Sequence, residues 1–239
     1  MKRPAPDSRD DDDAVATAHE IALRDFAAAR KFALDAHADD VAWIEQRAAD
    51  GLVRTFAEFY EEYAYVVVAS GFRGRTAAAL APRLVTCRGD LDAMLRVFAN
   101  HAKCRALADT WRRWGGADDA DWTRDLRPRL EAAAPDAGAE LLRTHLGYIG
   151  PVTKQHLARN IGVDARAVKP DVHLVRYAVV ELGYASPNAL ADDIMRRAPD
   201  AYRPAHAGTV DFMLWLWLSH ERGARRGSGD APCCAHRLR

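Results

Sequence analysis

Two short stretches carry residue types and spacings that could do chemistry. The first is Leu146-Gly147-Tyr148-Ile149-Gly150-Pro151. A helix ends near Leu146, glycines bracket a short apolar hairpin, and Pro151 stands where the first turn of a new helix accepts proline. Glycine lets the backbone turn tightly and approach a ligand without a Cβ in the way. The amides from Gly150 onward then point out of a helix N-terminus, an arrangement that binds phosphate. Alone, the stretch also reads as an ordinary αα-corner. The second is Pro170-Asp171-Val172-His173, with Asp171 nineteen residues beyond Val152. Proline keeps the chain extended before it, and Asp171 opens an apolar helix (Val172, Leu174, Val175, Ala178, Val179). That carboxylate could serve only as an N-cap, or it could stabilise positive charge developing on a substrate. His173 could orient it; satisfying a backbone carbonyl is the simpler role.

Cys233-Cys234 with His220 and His236 makes a weaker candidate. Adjacent cysteines chelate poorly compared with C-x-x-C, and the segment is rich in Gly, Ser and Pro, so no zinc is expected.

The elements that must position these residues read as helices. Apolar spacing predicts helical runs from Ala14, from Val41 to Gly51, over Phe56–Ser70, Arg75–Leu84, Leu91–Phe98, Lys103–Trp114, Asp121–Ala133 and Gly138–Leu146, then over Val152–Ile161, Pro187–Ala198 and Gly208–Glu221. Val210–Leu218 is apolar nearly all round, as in a helix packed between others. Residues 1–13 read as a disordered acidic leader, and 223–239 as a flexible tail. No G-x-G-x-x-G or Walker-type loop occurs, which removes the common nucleotide-binding folds.

Composition sets outer limits. The 239 residues are 49% hydrophobic and 28% charged, enough for a sizeable core. The longest apolar run is about half a bilayer span, so no membrane association is expected. The N-terminus lacks the apolar core of a secretory signal, and four cysteines at this length are no disulfide scaffold, so a cytoplasmic location is expected. Net charge is zero, yet Phe72–Trp114 holds nine basic residues against three acids. Such a block is a solvated helix face or a phosphate-binding surface.

The glycine hairpin, the helix after it and P-D-V-H at this interval together resemble the helix-hairpin-helix (HhH-GPD) DNA glycosylase superfamily, whose members include endonuclease III and the adenine-mismatch, alkylbase and oxidised-guanine glycosylases. There the hairpin reads L-x-G-φ-G, with φ apolar, and a V/P-D-V/T-H motif carries the catalytic aspartate. Residues 146–176 carry the specific part of the likeness. It extends weakly to Tyr65–Leu84, similar to the early helix-loop-helix bearing a DNA wedge, and to Val210–Ser219, similar to a late buried helix.

The resemblance implies an all-α, two-lobed fold with a cleft. One lobe is 56–165, with the helix-hairpin-helix at about 138–162; the other is 14–55 plus 166–222. It implies a glycosylase that hydrolyses the N-glycosidic bond of a damaged or modified base in double-stranded DNA, as a monomer near the nucleoid. Asp171 falls on the catalytic position. Gly147, Tyr148, Ile149, Gly150, Val152, Thr153 and Lys154 would grip a DNA strand, and Phe72 or Arg73 would be inserted into the stack; Phe72 packing on a neighbouring helix is the competing reading. Val152 and His173, with the aromatics Trp43, Tyr60, Tyr63, Trp215 and Trp217, are candidates for the base pocket, with core packing as the alternative for the aromatics. Carbonyls of Gly147 and Gly150 would hold a monovalent cation, and no other cofactor is implied.

Departures narrow these expectations. The lysine of bifunctional members, two residues after the second hairpin glycine, is Val152 here. Lys154 lies about 200° further round the helix. A lyase step is therefore not expected. The four spaced cysteines of the iron–sulfur subgroup are missing, so no cluster is expected. Tyr148 stands at a hairpin glycine, and Ser70-Gly71-Phe72-Arg73 lacks the usual Gln or Asn. Two other readings compete: a non-catalytic helix-hairpin-helix DNA-binding module, in which Asp171 only caps its helix, and a helical protein-interaction domain.

Overall fold

Every regular element is helical among the residues that the structure, a computed structural model, describes: 8–72, 74–115 and 121–225, with side chains between 17 and 221. In order they are α1 (Ser8–Ala36), α2 (Ala38–Asp50), α3 (Phe56–Ala69), α4 (Gly74–Val85), α5 (Leu91–Val97), α6 (His101–Trp114), α7 (Arg127–Ala132), α8 (Pro135–His145), α9 (Pro151–Asn160), α10 (Val172–Val175), α11 (Pro187–Arg197) and α12 (Ala207–Arg225). Wider π turns lead into α7 (Trp122–Leu126) and continue α10 (Arg176–Glu181). None of these helices is long and apolar enough to cross a membrane.

The ends differ from the sequence expectation. Asp10–Asp13, expected in a disordered leader, lie within α1. At the other end α12 runs to Arg225, past the expected start of the tail. Residues 1–7, Arg73 and 226–239, with Cys233, Cys234 and His236, lie outside the described residues. Cys87 and Cys104 are free thiols.

Two hydrophobic clusters account for the burial. The first uses residues 53–167 and is centred on α3. A capping box starts that helix: Glu58 N donates to Thr55 Oγ1 at 3.2 Å while Thr55 N donates to the Glu58 carboxylate at 3.1 Å. From Phe59 to Val68 every side chain but Glu61 is buried, Val66–Val68 included, because α3 packs against α4, α6 and α9. The second cluster uses residues 22–44 and 168–218. Ala22, Phe26, Ala29 and Ala33 line one face of α1 at helical spacing and pack against α12 and α11.

The chain crosses between the clusters twice, and the crossings touch. Val53 N donates to Ile161 O at 2.9 Å. Beside it Gly162 sits at φ +79, and a Cβ there would come within 1.9 Å of Gly51 O. Backbone cannot yield as a side-chain tip would. Gly162→Ala is therefore expected to destabilise the protein by more than about 3 kcal/mol, since a clash adds to a left-handed φ. The check is the urea midpoint against wild type.

An ionic cluster ties α1 to α11. Asp193 accepts from Tyr184 Oη at 2.8 Å, Arg196 at 2.6 Å, Arg197 Nε at 2.8 Å and His19 Nδ1 at 2.5 Å. Burial alone would raise its carboxyl, but these bonds outweigh burial and hold it down to about 2, against 3.8 ordinarily. A depressed carboxyl contributes stability above its unfolded value, lost as pH falls through the folded one. Asp193→Asn should cost roughly 2 kcal/mol at pH 7, and the gap to wild type should close between about pH 4 and pH 2. Denaturant titrations across that range provide the test.

Candidate active site

Asp171 is the N-cap of α10. Its Oδ1 accepts from His173 N at 2.9 Å and Leu174 N at 3.0 Å, which fixes the carboxylate by its own local sequence. The other oxygen lies 3.8 Å from Lys169 Nζ, and the side chain is 12% exposed. Lys169 Nζ also stands 5.5 Å from the centre of the Trp215 ring. Lys169, the partner of Asp171, lines a partly open cavity of about 100 Å³.

That cavity lies between the two clusters. Helix α2 contributes Asp40, Trp43 and Ile44, α3 contributes Tyr65 and Ala69, and α9 contributes His156, Arg159 and Asn160; Asp211, Phe212 and Trp215 come from α12. Arg159 Nη1 pairs with Asp211 Oδ2, and both side chains are buried. Burial raises the Asp211 carboxyl to about 6; Arg159 opposes the rise, the charge of Asp171 reinforces it, and Lys169 opposes it.

The hairpin joins α8 to α9, and most of its groups are used by the fold. Gly147 lies so close to α6 that a Cβ would come within 2.9 Å of Ala106 Cβ. Its carbonyl accepts from Tyr63 Oη at 2.7 Å. Tyr63, expected in a pocket wall, is instead a fully buried strut beneath the hairpin. Ile149 is 6% exposed and belongs to the first core, so it anchors the hairpin rather than facing out. The Gly150 amide, expected to face a phosphate, donates to Thr153 Oγ1 at 2.7 Å. Gly150 O takes the first helical bond, from Lys154 N at 2.9 Å. Thr153 Oγ1 also donates to Gly150 O, at 3.3 Å, so of the carbonyls expected around a cation Gly150 holds two hydrogen bonds and Gly147 one. Lys154 reaches back to Glu140 on α8 and does not point outward.

The outward groups are Tyr148, Val152 and the first-turn amides of Val152 and Thr153, which precede the first helical hydrogen bond. Tyr148 has φ +65 and is 45% exposed. With Ser70 these residues line an open groove. Val152 lines that groove and not the cavity; of the expected pocket residues Trp43 and Trp215 line the cavity. His173 is partly buried beside Asp171. Val172 next to it is 75% exposed, as is Val180 further along.

Lys103 is a residue that sequence patterning missed. It lies on α6, is 2% exposed, and donates from Nζ to Val68 O at 3.1 Å and to Ser70 O, closing the end of α3. Its ammonium stands 4.7 Å from the Phe72 ring and 5.2 Å from the Tyr148 ring. Phe72 also packs edge-on against Phe98, yet stays 44% exposed. One buried cation therefore joins the loop after α3 to the hairpin, and burial lowers its pKa. Asp211 was missed as well. Its signal is an acid set alone in the apolar run Val210–Leu218; Lys103, amid charged neighbours, has none.

No group of three or more His, Cys, Asp and Glu side chains suited to a metal occurs among the described residues. No family model, curated protein or solved structure matches the chain.

Replacing the buried ammonium leaves two carbonyls without a donor. Lys103→Met should lower stability by roughly 2–3 kcal/mol, the scale of hydrogen bonds to a charged group. Denaturant midpoints measure this, and an unchanged midpoint would remove Lys103 as the tie between loop and hairpin.

Proposed function

We propose that this protein is a monofunctional DNA glycosylase that hydrolyses the bond between a damaged or modified base and its sugar, built on the two-lobed helix-hairpin-helix plan. The observation that carries the reading is Asp171: a sequence-fixed carboxylate at the edge of an aromatic-lined cavity, in the P-D-V-H context and one helix beyond the glycine hairpin. The left-handed φ of Tyr148 supports it, because the resemblance expects a glycine at that place.

The chemistry follows from charge. As the glycosidic bond breaks, the base leaves with the bonding electrons and the sugar becomes oxocarbenium-like. A carboxylate beneath the sugar stabilises that cation until water adds. The base must first leave the stack, an unstacking cost repaid by contacts in a pocket and by an inserted side chain. Phe72, exposed at the cavity wall, is the residue for that role. The first-turn amides of α9 would hold a phosphate, and Tyr148 and Val152 would lie along the strand. With Val152 at the lysine position, no Schiff base forms. The cation at the hairpin carbonyls is not needed for any of these steps.

One observation favours the second reading, a DNA-binding module without chemistry. Asp171 Oδ1 is fully occupied by two cap bonds.

Asp171→Asn separates the two. Asparagine caps as well as aspartate, so folding should survive. Base release from lesion-containing duplexes should fall about a hundredfold or more, while DNA affinity holds or rises. Borohydride should trap no covalent adduct. A wild type that binds duplex DNA with steep salt dependence but releases no base from a broad lesion panel would establish the non-catalytic module.

A further inference from the structure

Lys169 both faces Asp171 and lines the cavity beside it. Its place is built by the backbone. Lys169 N donates to the buried Asp211 carboxylate, Asp171 N donates to Lys169 O at 2.8 Å, and Pro170 between them has a fixed φ. Ammonium and carboxylate are thereby held in one turn. Lys169 Nζ stands 3.8 Å from Asp171 Oδ2, the oxygen that the cap bonds do not use, and 5.5 Å from the centre of the Trp215 ring. The other cation of the lining, Arg159, is spent on Asp211 with its side chain 8% exposed, whereas the Lys169 side chain is 24% exposed.

A cation in that position opposes a carboxylate whose whole task is to stabilise a sugar cation, because it cancels part of the negative charge. It helps when charge also develops on the other side of the breaking bond. An uncharged base leaves as an anion, which an ammonium attracts and can protonate. A base that is already cationic, such as one alkylated on a ring nitrogen, leaves neutral and gains nothing from an acid. Lys169 would repel it before cleavage, and the lysine already stands at the Trp215 face that such a cation would use.

We propose that Lys169 is a further catalytic residue, the acid that neutralises the departing base, and that the enzyme acts on lesions whose base is uncharged before cleavage. The proposal rests on the glycosylase reading and narrows its substrate class. The bond between sugar and base nitrogen breaks, and its electron pair goes to the base. A proton from Lys169 Nζ neutralises the base. Water adds to the sugar carbon and gives up a proton to Asp171. That proton passes to Lys169 across the 3.8 Å pair, which restores both groups for the next turnover.

The test compares base release by the full chain from duplexes carrying an uncharged lesion (uracil, hypoxanthine or an oxidised guanine) with release from duplexes carrying cationic N7-methylguanine. Each rate is divided by that of spontaneous loss. Wild type should accelerate at least one uncharged base more than N7-methylguanine. Lys169→Met keeps the stem and both backbone bonds but removes the acid. It should slow release of the uncharged base about a hundredfold or more and leave N7-methylguanine release unchanged or faster. Lys169→Arg keeps the charge and should fall between wild type and Lys169→Met on the uncharged base; with the wild-type ranking it stands as the test if the methionine variant fails to fold. Equal losses on both classes of lesion, no loss on either, or a wild type that accelerates only N7-methylguanine would overturn the proposal and leave the glycosylase reading intact. A wild type that releases no base from any lesion would end both.

Discussion

The buried ion pair between Arg159 and Asp211 sets the terms for the rest of the molecule. It joins α9 of the first cluster to α12 of the second, in a place where neither charge has much water. Two such groups repay their desolvation only when geometry is good and the remaining polar atoms are served. The fold makes room for the pair: Gly208 has no Cβ, and one placed there would lie 3.0 Å from Arg159 Cδ. The pair also couples the clusters to Asp171, whose negative charge is felt at Asp211. Displacing α12 relative to α9 would therefore disturb charge balance and cavity shape together.

The hairpin follows a related logic, in which internal needs absorb most of its polar groups. Tyr63 takes the Gly147 carbonyl, Thr153 takes the Gly150 amide, and Glu140 takes Lys154. What remains for a ligand is a tyrosine ring, a valine and two backbone amides. Such a surface offers shape and two amide donors, with no charged side chain of its own. It is also rigid, because Ile149 is rooted in the core and Lys103 lies beneath Tyr148. Rigidity of this kind lowers the ordering cost of binding.

Helix positions and local caps were legible in the sequence because their causes are local. Thr55 with Glu58, Pro151 after a glycine, and Asp171 before an apolar run each announce a helix start within a few residues. The cavity was not legible. Its walls come from α2, α3, α9 and α12, and periodicity marks Tyr65 and Phe212 only as apolar. Tyr63 looked like a wall and became a strut for the same reason. Its hydroxyl finds a carbonyl 84 residues away, a pairing that no spacing rule encodes. The π turn after α10 also left no mark, since one extra residue per turn barely shifts an apolar stripe over six residues.

The packing of α1 against α12 has a consequence for how the chain is made. About 170 residues separate the end of α1 from the start of α12, so α1 is made well before α12 is there to cover its Ala22–Ala33 face. At about 5–20 residues per second that wait is roughly 10–35 s. The first cluster, contiguous from 53 to 167, can close during the interval. The Ala22–Ala33 face of α1 thus stays open to other apolar surfaces until α11 and α12 have been made.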